Sequence, residues 1–172
     1  ITGCTIQHSA NYGKDRSRTL APGGANIRLA GKAIYPINSV TISGNVMSDT
    51  STNIVVDHCY DVAINGNNFF APKPANLLVS NSQRVVLSGN TFNPRQFVRP
   101  GTITFENSSD CLIANSTLHK FTTGDGALIL NNCDGFTLSS LILSDCGSGI
   151  VLTNSKDVTI IGCRIARTTE GQ

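Results

Sequence analysis

One pattern recurs every 22 to 26 residues along this chain, and it restricts the possible folds more than any other feature. The clearest copy runs from Leu77 to Phe92, with Asn81 near its middle and Gly89-Asn90 near its end. Other copies are Ile54 to Phe69, Ile103 to Leu118, Leu128 to Leu143 and Ile150 to Ile165. A looser copy spans Ile27 to Met47, and Ile1 to Ile6 is the tail of an earlier one. A unit this short cannot bury an apolar face alone, so the units must stack.

Inside each copy the apolar residues alternate, as in Val62 and Ile64, Val85 and Leu87, Phe136 and Leu138. A period of two means strands. Asn, Ser, Gly and Asp separate them, which keeps the strands very short. No stretch of helical period interrupts the series. Three short strands per unit, at constant spacing, predict an all-β chain: a single right-handed parallel β-helix of about seven coils, one of them partial. Coils stack about 4.8 Å apart, so inward residues form columns. One column is Val40, Val62, Val85, Cys111, Phe136 and Val158; the next is Ile42, Ile64, Leu87, Ile113, Leu138 and Ile160.

Two more columns are polar. Asn81, Asn107, Asn132 and Asn154 align, with His58 in the same place one coil earlier; Asn45, Asn67 and Asn90 align in the second. Asparagine tolerates the left-handed bend of a turn, and its amide both donates and accepts. Both columns are expected to be structural ladders of stacked amides. An inward Asn107 would make the sequon Asn107-Ser108-Ser109 a poor glycosylation site, and Asn115-Ser116-Thr117 matters only in a eukaryotic secretory route.

The chain's 172 residues suit one domain with a good core, residues 1–172, with no linker. It opens in mid-repeat at Ile1 and ends in a turn at Gln172, which reads as a piece of a longer chain. A net charge of +2 carries no basic polymer-binding signal; no nucleic-acid partner and no membrane span are expected. The register of the six cysteines argues against disulfides, and most are expected as buried thiols. Cys133 and Cys146 share a coil and are the pair least safely excluded. No CxxC or His-Cys spacing points to a metal, and no cofactor is called for.

The copies ending Val40 to Asn45, Val85 to Phe92 and Val158 to Cys163 resemble the repeats of the pectate-lyase-like right-handed β-helix superfamily. The resemblance covers nearly the whole chain. It implies an extracellular or cell-surface protein facing polysaccharide. The superfamily spans polysaccharide lyases, glycoside hydrolases, phage tailspikes and non-catalytic surface proteins, and fold does not supply the chemistry. The polygalacturonase pattern (Asn-Thr-Asp, Asp-Asp, Gly-His-Gly, Arg-Ile-Lys) is missing, as is the acidic calcium cluster of classical pectate lyases.

Candidate chemistry lies mostly in loops. His8, Tyr12, Lys14, Asp15, Arg16 and Arg18 crowd one long excursion. A lyase acting on a uronic-acid polymer must neutralise a carboxylate, remove the C5 proton and protonate the leaving oxygen; Arg and Lys suit the first task, and Lys, His or Tyr the others. A second cluster is His119-Lys120 with Asp125, a base with an orienting carboxylate, and Arg95 and Arg99 could bind an acidic sugar. Each could equally be an ordinary polar loop. Asp57 and Glu106 hold the same place two coils apart, about 9.6 Å by strand spacing. An inverting glycosidase pair is separated by up to about 9.5 Å. His58 beside Asp57 is read as a ladder substitute.

The first strand carries an outward apolar stripe, Val55, Leu78, Ile129 and Val151, with Thr104 among them and Arg28 at its start. Such a stripe needs a cover: loops, further chain, or a second subunit. Two functions stay open: a polysaccharide lyase or glycoside hydrolase, or a non-catalytic structural, adhesion or tailspike-like carbohydrate-binding module.

Overall fold

A computed structural model describes residues 1–9, 24–72, 74–93, 101–121 and 125–166, with the backbone alone at 11–12 and 19–20. Three parallel sheets wrap into a right-handed β-helix. The first sheet holds Ala25–Ala30, Thr52–Asp57, Ala75–Ser80, Thr102–Glu106, Leu128–Asn131 and Ile150–Thr153. The second holds Ile37–Ser43, Cys59–Asn65, Gln83–Ser88, Leu112–Ala114, Asp134–Ser139 and Lys156–Ile161. The third holds Thr5–Gln7, Val46–Ser48, Asn68–Phe70, Thr91–Phe92, Thr117–His119, Ile142–Ser144 and Arg164–Ala166. Each strand pairs in register with its counterpart one coil away, so Val62 lies against Val85 and Ile64 against Leu87, as the columns predict.

Alternation drives burial. Ile54, Ile64, Leu77, Leu87, Phe105 and Leu138 have essentially no exposed surface, while the residues between them face outward. Phe69 and Phe92 stack at 4.7 Å between centroids, and Phe105 meets Phe136 edge-on at 5.3 Å. All six cysteines are free thiols; Cys59, Cys111, Cys133 and Cys146 are buried among these side chains.

The corners explain the polar residues. Among the described residues every left-handed backbone except Gly126 falls in one of four columns, one position per coil. The corner from first to second sheet uses His58, Asn81, Asn107, Asn132 and Asn154, all at φ near +50°. The corner from second to third uses glycine at 3, 44, 66, 89 and 162, with Asn115 and Ser140 between. Asp61, Arg84 and Asp110 mark a break inside the second sheet, and His8, Asp49, Lys120 and Asp145 follow strands of the third. At each step the N–H of the corner residue donates to a carbonyl of the next coil, as from Asn81 to Glu106 or Gly66 to Ser88. Residues that tolerate positive φ are therefore required at coil spacing.

This corrects the reading of the first asparagine column. Asn81, Asn107, Asn132 and Asn154 are exposed, not an inward ladder. They are selected for backbone shape, and their amides bond only piecemeal: Asn132 to Asn107 at 2.7 Å, and Asn81 to Asp57 at 2.8 Å. Burial is thus no argument against the sequon at Asn107.

The second column is a true ladder. Asn45 Nδ2 donates to Asn67 Oδ1 at 2.9 Å, and Asn67 Nδ2 to Asn90 Oδ1 at 3.1 Å, all three 1% exposed. Backbone N–H groups of Asn45 and Asn67 donate to the same oxygens. Ser116 continues the column, its hydroxyl accepting from the Asn90 N–H at 3.1 Å. A further ladder, Asn26 to Asn53 to Asn76 to the Gly101 carbonyl, lines the start of the first sheet at 2.9, 3.0 and 2.9 Å. Its signal in the sequence is an Asn immediately before an apolar strand residue, as in Asn53-Ile54 and Asn76-Leu77.

Candidate functional site

The connections between sheets differ sharply in length. From first to second sheet the chain turns through a few residues, apart from 31–36 in the first coil; from second to third it uses pairs such as 66–67 and 89–90. The long connections, 8–24, 93–101 and 120–127, all run from the third sheet to the first. The topology therefore starts the three candidate loops along one edge of the solenoid, although they are far apart in sequence.

His119 is the best-defined group there. It ends the strand Thr117–His119 and points outward, because Leu118 beside it is buried. Its Nδ1 lies 2.8 Å from Ser144 Oγ and 3.3 Å from Asp145 Oδ2. Both partners come from the next coil, where Ser144 lies opposite His119 in the sheet. The expected orienter Asp125 is replaced by Asp145; Asp125 sits in an exposed turn. A carboxylate at Nδ1 can only accept, so it favours the tautomer with the proton there. Nε2 then presents a lone pair, with no protein hydrogen bond among the described residues. Lys120 follows as the left-handed corner residue.

His8 is another left-handed corner residue, after Thr5–Gln7. Tyr12 lies in a short antiparallel pair, Asn11–Tyr12 with Thr19–Leu20. The side chain of Tyr12, and Lys14, Arg16, Arg18, Arg95 and Arg99, fall outside the described residues.

Asp57 and Glu106 do share an outward column on the first sheet, with Ser80 between them. Asp57 accepts from Ser80 Oγ at 2.7 Å and Asn81 Nδ2 at 2.8 Å, and its other oxygen lies 3.1 Å from His58 Nδ1. Burial works to raise the Asp57 carboxyl, but hydrogen bonds from Ser80 and Asn81, with His58 close by, outweigh it and hold the group below the ordinary aspartate value. A carboxyl held that low stays ionised at neutral pH and cannot serve as the general acid. Asp57 and His58 tie corner to sheet.

The apolar stripe is covered in part by the chain itself. Val55 is 9% exposed and Leu78 37% exposed. At the other end Gly126 packs so closely on Val151 and Ile129 that an added Cβ would lie 2.7 Å from a Val151 methyl. The larger exposed pair is elsewhere: Ile34 and Tyr35, 76% and 75% exposed, at the tip of a turn closed by mutual Lys32–Tyr35 backbone bonds.

The sequence profile of one protein family, periplasmic copper-binding protein (NosD), matches residues 2–172. This chain belongs to the NosD family. Among solved structures, the NosD-family solenoid is similar to a candidate glycosyl hydrolase from Parabacteroides merdae. The identity is 14% over 83% of this chain and 79% of that one, with a TM-score of 0.61, which shows a shared fold. A surface adhesin of Streptococcus pneumoniae, PfbA, aligns at 16% identity over 94% of this chain and 45% of that one, with a TM-score of 0.33. A search of curated proteins finds no match.

The family's name raises copper. Copper sites favour thiolate, thioether and imidazole ligands. Among the described residues no group of three His, Cys, Asp or Glu side chains converges as a metal site. The described residues do not fit the metal.

Proposed function

We propose that this NosD-family chain is an exported β-helix, periplasmic or extracellular, that binds an acidic polysaccharide at the corner between its third and first sheets and cleaves it by β-elimination. One observation carries the reading: His119, oriented by the Asp145 carboxylate, ends a strand of the third sheet at the corner from which the long connections leave. In the sequence those long connections carry Lys14, Arg16, Arg18, Arg95, Arg99 and Lys120, six of the chain's thirteen lysines and arginines. Cations there would neutralise a uronate carboxylate and so acidify its C5 proton. Neutral His119 takes that proton at Nε2, while Asp145 at Nδ1 stabilises the imidazolium that forms. The electron pair makes the C4–C5 double bond as the C4–O bond breaks, and the leaving oxygen takes a proton from water. The pair Asp57 and Glu106 is set aside for hydrolysis because both Asp57 oxygens are already engaged, one by Ser80 and Asn81 and the other facing His58.

The test is a screen against acidic and neutral polysaccharides, following both ultraviolet absorbance of the new double bond and release of reducing ends. Absorbance growth abolished by His119→Ala supports the reading. Reducing ends without absorbance mean hydrolysis and overturn it. Silence from both favours the second reading, a non-catalytic carbohydrate-binding or adhesion module, for which the exposed Ile34 and Tyr35 speak.

A further inference from the structure

We infer that this chain has no copper site, resident or transit, despite belonging to a family named for the metal. The argument reaches the whole sequence because its three histidines, six cysteines and single methionine all lie among the described residues. What lies outside the description adds only oxygen and non-imidazole nitrogen donors, with none of the sulfur or imidazole that holds copper most tightly.

The solenoid keeps the copper-favouring donors apart. His58 stands at the corner between first and second sheets with Nδ1 against Asp57, while its chain neighbour Cys59 turns the other way, 0% exposed, with its thiol on the Leu29 and Asp57 carbonyls. His8 and His119 share the corner after the third sheet, but four strand steps separate them, roughly 19 Å at the usual strand spacing. Met47 is 0% exposed, packed inward between Ile6 and Phe69 in the third sheet. Cys59 and Cys133 occupy one inward column three steps apart, about 14 Å. Cys4 and Cys163 stand in the first and last coils.

Cys111 and Cys133 are the thiols that come nearest to a pair, in adjacent coils and neighbouring inward columns. Both already donate to backbone carbonyls, Cys111 to Ser109 at 3.1 Å and Cys133 to Asn131 at 3.4 Å. Burial pushes the Cys111 thiol up to about 12, and burial likewise raises that of Cys133. A metal there would have to enter a close-packed core and displace two protons. Coil stacking explains the dispersion: side chains at equal register lie one coil apart, and no two copper-favouring residues share a register in consecutive coils.

The experiment uses the purified, metal-free chain. Cu(I) is offered against a chromogenic bis-chelator, and Cu(II) is followed by electron paramagnetic resonance and by the melting temperature. The expected result is full surrender of Cu(I) to the chelator, a Cu(II) spectrum of weak surface binding only, and an unmoved melting temperature at one equivalent. One copper retained per chain, with a raised melting temperature, overturns the inference. The double variant Cys111→Ser, Cys133→Ser then locates the failure: retention lost in it places the metal on these two core thiols, and retention kept places it on histidine or the remaining sulfur side chains. The readouts do not depend on any polysaccharide activity, so this inference and the proposed function can fail separately.

Discussion

Two corners of the same solenoid are built on opposite principles. Between second and third sheets the chain turns in two residues, a left-handed glycine and a buried asparagine, and the turn repeats with little change from Gly44-Asn45 to Gly89-Asn90. Its polar groups are consumed internally, each amide bonded to a neighbouring coil. Between third and first sheets the left-handed residue is retained, as at His8, Asp49, Lys120 and Asp145, but the chain that follows is free to lengthen. There the side chains face outward and pair between coils without being buried, as His119 does with Asp145. The closed corner stabilises the stack, and the open corner can vary without breaking it. That division lets chemistry accumulate on a repeat fold.

The largest expected effect is at the open corner. His119→Ala should lower any eliminase rate by about 100-fold or more, while urea unfolding shifts little because the ring is partly exposed. His119→Ala that unfolded the chain would show that the corner is structural, and the comparison would break.

The closed corner should show the reverse. Asn67→Ala removes the acceptor of two Asn45 donors and leaves the Ile42 carbonyl without its amide partner. The cost should be roughly 3 kcal/mol in urea unfolding, since buried polar groups are left unmade, with the rate per folded molecule unchanged. Gly89→Ala should cost less, about 1–2 kcal/mol for an alanine forced left-handed. Its Cβ would meet nothing nearer than the Gly66 nitrogen at 3.8 Å, so the loss is conformational rather than steric.

Acid provides a smaller test. Asp57 is held below its ordinary value despite burial, and Asp61 is lowered by its hydrogen bond from Arg84. A carboxyl depressed in the folded state contributes fully above its unfolded value and loses that contribution as pH falls through the folded value. Melting temperature should therefore hold at pH 5 and drop below about pH 4, and Asp57→Asn should shrink the drop. Thiol labelling is the mildest probe: exposed Cys4 should react in the native state, whereas Cys59, Cys111, Cys133 and Cys146 should react only on unfolding. Rapid labelling of Cys111 would contradict the dry core.

The repeat spacing and the alternation of apolar residues are local properties, so the strands, the coil length, the inward columns and the parallel stack could be read from the chain alone. The direction a corner side chain faces is not local. Both asparagine columns recur at coil spacing, yet Asn67 is buried and Asn107 exposed: Asn107 is itself the left-handed corner residue, whereas Asn67 follows left-handed Gly66 and faces the interior that the closure of three sheets creates. The candidate site divides in the same way. His119 was legible as a residue type in a loop-bearing region. Its partner Asp145 was not, since it lies one coil on and resembles any other turn aspartate until stacking sets it 3.3 Å from the ring. Periodicity determined what stacks; only the tertiary structure decided which residues meet across the stack, because those meetings depend on register between coils and not on neighbours along the chain.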